Sequence, residues 1–138
     1  MSLLADSSIW AWAAKGSRPD ITDKLAERFR RDEIVTCAPV LLEVLHRARS
    51  RAEYRHLREA LFDPLHWLAI DDRCARRALA VQQAMADTRD GNHRRPAIDY
   101  LIAAIAEAAG PDVRLWFFDR DLQVICEHTG QPFEAEAA

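Results

Sequence analysis

The sequence predicts an α/β fold, a three-layer α/β/α sandwich around a mainly parallel central sheet. Short apolar runs recur at residues 3–5, 34–37, 67–70 and 113–118, each too short for an ordinary helix and several rich in β-branched or aromatic residues. Between them lie stretches with helical spacing at residues 8–15, 21–31, 39–49, 52–62, 73–86 and 98–109, with a shorter one after Asp121. Strands that alternate with helices need crossover connections, which are right-handed and lay helices on both faces of a parallel sheet.

The element ends carry their own chemistry. Pro39 suits a first helical turn, where its missing N–H would be unpaired anyway, and Asp72 is expected to cap the helix that follows it. Gly110 suits the left-handed position after a helix end. Residues 87–95 are polar, contain Gly91-Asn92 and separate two helical patterns, so they are expected to form an exposed, mobile loop. Residues 134–138, acidic and alanine-rich, are expected to fray.

Composition narrows the function. The 138 residues suffice for one core, so residues 1–138 are expected to form a single domain. With 49% hydrophobic and 30% charged residues the chain lies outside the disordered regime. A net charge of −3 gives no overall attraction to nucleic acid, so contact with a polyanion must be local. Cys37, Cys74 and Cys126 are scattered and odd in number, which fits neither a disulfide framework nor a thiolate zinc site and points to a reducing cytoplasm. The start of the sequence lacks the basic stretch and apolar run of a secretion signal, and no uncharged segment reaches membrane-spanning length. Only four glycines are present and none forms a phosphate-cradling loop, which argues against an NTPase or a dinucleotide-binding dehydrogenase.

The acids carry the main chemical signal. Ligands of open parallel sheets bind beyond the carboxyl ends of the strands. The first apolar run closes on Asp6 and the fourth on Asp119, with Asp121 two residues beyond, although aspartate at such a place also serves as a helix cap. Glu43 lies among Val40, Leu41, Val44 and Leu45 at a core margin, where function and a solvated pairing with Arg47 are both open. Asp99 opens a helix whose stripe is Ile98, Leu101, Ile102 and Ile105, and an ordinary aspartate at a helix start predicts the same local pattern. Gathered at one sheet edge, four such carboxylates would repel each other unless protonated or neutralised by a cation. Oxygen ligands alone select Mg²⁺ or Mn²⁺, and the five histidines show no paired zinc-ligand spacing.

These residues also match a family pattern. Asp6-Ser7-Ser8, Ala38-Pro39-Val40-Leu41-Leu42-Glu43-Val44, Asp99 before Leu101-Ile102-Ala103-Ala104, and Phe118-Asp119-Arg120-Asp121-Leu122 together resemble a PIN domain of the VapC type, the toxin of a type II toxin–antitoxin module. The resemblance covers about residues 3–133. It implies that Asp6, Glu43, Asp99 and Asp119 are catalytic and hold one or two Mg²⁺ or Mn²⁺ ions, with Asp121 auxiliary and Ser8 supporting. Ser7 stands where threonine is usual and keeps the hydroxyl. The resemblance further implies cleavage of RNA, a homodimer, and inhibition by a cognate antitoxin.

The expected reaction is in-line attack on a phosphodiester by metal-activated water, with Glu43 orienting that water or assisting the ion. Phosphate contacts are expected from Arg89, His93, Arg94 and Arg95, while the basic residues of 46–58 read as a solvated helix face balanced by Glu53 and Glu59. Trp10, Trp12, Trp67 and Trp116 read as packing residues. Two other functions fit the same acids: a phosphohydrolase with a nucleophilic Asp119/Asp121 pair, and a PIN-fold interaction module that has lost its metal.

Overall fold

The computed structural model describes residues 1–138. In chain order they form β1 (Ser2–Ala5), α1 (Ser7–Lys15), α2 (Pro19–Arg30), β2 (Ile34–Thr36), α3 (Ala38–His46), α4 (Arg51–His56), β3 (His66–Trp67), α5 (Asp72–Ala86), α6 (Ala97–Ala108), β4 (Val113–Phe117), α7 (Arg120–Thr129) and β5 (Phe133–Ala135). Every strand pairing is parallel, in the order β3-β2-β1-β4-β5. Leu3, Leu4 and Ala5 are all buried, as are Leu115, Trp116 and Phe117. Consecutive strand residues point to opposite faces, so unbroken burial means that helices cover the sheet on both sides. The α/β sandwich read from the sequence is the observed fold.

The differences are local. Helix α4 runs directly into a π-helical turn, Leu57–Phe62, in which the Asp63 N–H donates to the Arg58 carbonyl. Apolar spacing cannot separate that turn from a continuous α-helix. The third strand is shorter than residues 67–70, and Asp71 rather than Asp72 caps α5, accepting from the Cys74 N–H.

The larger correction is at the C-terminus, where the segment expected to fray supplies an edge strand. Leu115 pairs with Phe133, Trp116 with Glu134 and Phe117 with Ala135. Glu134 meets Arg28, and Glu136 accepts from both Lys24 Nζ and Trp116 Nε1. Charges that read as solvated in one dimension are thus fixed by cations on α2. The signal was present in the alternation of Phe133 and Ala135 with two glutamates.

Chain order explains why chemistry belongs at one edge. From β1 the sheet grows through β2 to β3 on one side, and through β4 to β5 on the other. The crevice between β1 and β4 is therefore the switch point of the sheet, and it opens at their carboxyl ends.

Candidate metal centre

Asp6 and Asp119 follow the two strands that flank the switch point. Asp6 caps α1 with one oxygen: Oδ2 accepts from the Ser8 N–H at 3.1 Å and the Ser8 hydroxyl at 2.7 Å. The same hydroxyl accepts the Phe118 N–H at 3.0 Å, so Ser8 links the ends of β1 and β4. Asp119 caps α7 through Oδ1, which accepts from the Leu122 N–H. Capping and clustering coexist because each carboxylate spends one oxygen on its helix.

Two further helices complete the cluster. Glu43 projects from α3, half-buried, and its Oε1 accepts from the Ser7 hydroxyl at 3.2 Å rather than from Arg47. Asp99 lies in the first turn of α6 and is 4% exposed. Asp99, Asp119 and Asp121 each offer an oxygen within 4.8 Å of the other two. Asp121, expected as auxiliary, is thus in the tightest group, while Asp6 and Glu43 lie outside it, near enough for their charges to act on Asp99.

Crowding registers in proton affinity. Burial, then the charges of Asp119, Asp6, Glu43 and Asp121, pushes the Asp99 carboxyl up to about 8. Burial also raises Asp6, opposed by its bonds to Ser8, and it raises Glu43, with Asp6 adding to the effect. Two carboxylate oxygens of the cluster, Asp6 Oδ1 and Asp99 Oδ2, are buried without a hydrogen-bond partner. Such atoms are rare in a folded protein because desolvation without compensation is costly. An all-oxygen set with unpartnered lone pairs fits a hard divalent cation.

This geometry agrees with the comparison to known families, in which the PIN domain model matches residues 3–127. The chain belongs to the PIN domain family. Ribonuclease VapC18 of Mycobacterium tuberculosis is 33% identical to this PIN domain over 135 residues, covering 97% of the chain and 94% of the relative. Ribonuclease VapC21 of the same species is 32% identical over 123 residues, covering 88% and 86% respectively. The crystal structure of DNA-bound VapBC from Salmonella typhimurium shares the fold, with a TM-score of 0.73 at 19% identity and 98% coverage of both chains.

The basic residues of this PIN domain divide. Arg89 and Arg94 are exposed on the α5–α6 connection. His93 is half-buried, and its carbonyl accepts from the Tyr100 hydroxyl at 2.6 Å. Arg95 is already engaged: Nη1 donates to Asp121 Oδ1 at 2.7 Å and Nη2 to Asn92 Oδ1 at 2.6 Å. The connection expected to be exposed and mobile is therefore fastened at His93 and Arg95, and again where the Asn92 N–H donates to the Met85 carbonyl. The sequence reading missed two contacts, Ser7 with Glu43 and Arg95 with Asp121. Both join residues far apart in the chain, and no local pattern announces them. Trp10 packs on Phe62 and Trp12 stacks on Phe118, as packing residues do.

Proposed function

We propose that this chain is an endoribonuclease toxin that cleaves RNA phosphodiester bonds with a bound Mg²⁺ or Mn²⁺ ion and is neutralised by a cognate antitoxin. The observation that carries the reading is the unpartnered pair Asp6 Oδ1 and Asp99 Oδ2, buried among further carboxylates at the switch point of the sheet. Membership of the PIN family, and relatives named as ribonucleases over nearly the whole chain, support the same substrate class. The VapBC structures that share the fold support the antitoxin.

Asp6, Asp99 and Asp119 would hold the ion, with Glu43 and Asp121 beside it. When bound, the ion supplies Lewis acidity, making water a competent nucleophile near neutral pH and offsetting phosphate charge. Ser8 fixes Asp6 through Oδ2 and leaves Oδ1 free of hydrogen bonds. Ser7 orients Glu43 through Oε1 and leaves Oε2 to align the attacking water. Asp99 must give up its proton for the ion to bind, so affinity rises with pH toward about 8. Exposed Arg89 and Arg94 are the local positive charge available to RNA phosphates. The working assembly is a cytoplasmic homodimer that the antitoxin joins.

Purified protein should cleave single-stranded RNA when Mn²⁺ is added and stop when a chelator removes it. Losing a residue that merely supports a ligand costs about 10–100-fold, so Asp6→Asn should lose at least about 100-fold while its circular dichroism is unchanged. Cleavage that persists in chelator, or an Asp6→Asn variant of full activity, overturns the reading.

A further inference from the structure

Arg95 is the one cation in direct ion contact with the acidic cluster: none of Asp6, Glu43, Asp99 and Asp119 forms a salt bridge. Its side chain is 15% exposed against 41% for Asp121, so Arg95 is the more covered partner of a pair at the rim. Arg95 is also held from behind. Nε donates to the Asn92 carbonyl at 3.3 Å and Nη2 to the Asn92 side chain, while the Asn92 N–H is fixed to the Met85 carbonyl at 2.8 Å. A guanidinium so fixed is pre-organised, always charged, and loses little freedom by staying in place. The orphaned oxygens, by contrast, belong to Asp6 and Asp99.

We infer that Arg95 is the resident cation of the cluster, a positioning residue that holds Asp121 and thereby limits the centre to a single divalent ion. This deepens the metal-dependent reading above and rests on it. Two neighbouring ion positions are conceivable from the residues present. One uses Asp119 with the unpartnered oxygens of Asp6 and Asp99, and the other uses Asp121 with the shared Asp99 and Asp119. The first offers an ion oxygens that no cation and no hydrogen bond engages. The second asks it to break the Arg95–Asp121 bond or to sit within a few ångströms of a fixed positive charge, where repulsion in a half-buried site is strong. The chain has filled that side with its own charge, and Asp121 acts as the anchor of Arg95 rather than as a primary ligand.

Titration calorimetry with Mn²⁺ on the intact chain tests this. The parent should bind one ion per chain. Arg95→Ala should bind a second, weaker ion, Arg95→Lys should return to one because it restores the charge, and Arg95→Ala/Asp121→Asn should also return to one. A purely structural role for Arg95 would change the melting temperature without changing the stoichiometry. If Arg95→Ala does not fold, Arg95→Gln keeps most of the stem and carries the same expectation. The inference is overturned by a parent that binds two ions, or by a folded Arg95→Ala or Arg95→Gln that still binds only one. A parent that binds no Mn²⁺ overturns the metal reading itself, an outcome distinct from either.

Discussion

At the β5 edge of the sheet, acids meet cations. Arg28 forks onto Glu134, Lys24 reaches Glu136, and Arg18 grips Asp20 with two nitrogens. At the carboxyl ends of β1 and β4, the Asp6, Glu43, Asp99 and Asp119 side chains have no such partner, and Asp121 alone has Arg95. Their proton affinities move in opposite directions. The Arg28 contact lowers Glu134, and Arg18 holds Asp20 down at about 2, whereas burial and mutual repulsion raise Asp6, Glu43 and Asp99. The same residue types thus serve two ends. One edge uses charge to fasten a strand, and the other leaves charge uncompensated, which under the proposed function lets the folded chain gain by binding an external cation.

That contrast can be broken at its strongest point by Asp99→Asn. The variant should lose RNA cleavage by more than about 100-fold and lose the rise in melting temperature that Mn²⁺ gives the parent. A variant that keeps both effects removes Asp99 from the centre.

The next test is pH. Unfolded, Asp99 ionises near its ordinary 3.8, while the folded chain keeps the proton until about 8. Between those values the native state binds the extra proton, so stability without metal should fall as pH rises from about 4 to about 8 and level off above. The slope from one such group is at most about 1.4 kcal/mol per pH unit. Denaturant melts in chelator measure it, and Asp99→Asn should flatten the curve. A parent whose stability climbs through that window contradicts the contrast.

Ser8→Ala leaves the part-buried Phe118 N–H and Asp6 Oδ2 without their hydroxyl. It should cost about 1–3 kcal/mol by denaturant unfolding and weaken Mn²⁺ binding, coupling stability to the centre. The smallest effect belongs to the paired edge. Arg28→Ala should cost about 1 kcal/mol or less, because the pair is partly solvated, and it should leave Mn²⁺ affinity unchanged. A large shift in that affinity would show that the two regions are not independent.

Much of the architecture was legible in one dimension. Apolar runs ending at Asp6 and Asp119 marked β1 and β4, and the stripes around Glu43 and Asp99 marked α3 and α6, because strand and helix periodicity are local properties of sequence. The last strand was not legible, since residues 134–138 read as a fraying acidic end until α2 places Arg28 and Lys24 against Glu134 and Glu136. The Arg95–Asp121 pair was likewise not legible, because the fold brings the two together across 26 residues of sequence.

The sequence by itself determined which side chains could carry charge and which segments would be strands or helices, since both depend on residue type and near neighbours. Only the tertiary structure decided which charges are partnered and which stand unpartnered. That depends on distances between residues such as Ser7 and Glu43, 36 apart in the chain, and packing alone sets them.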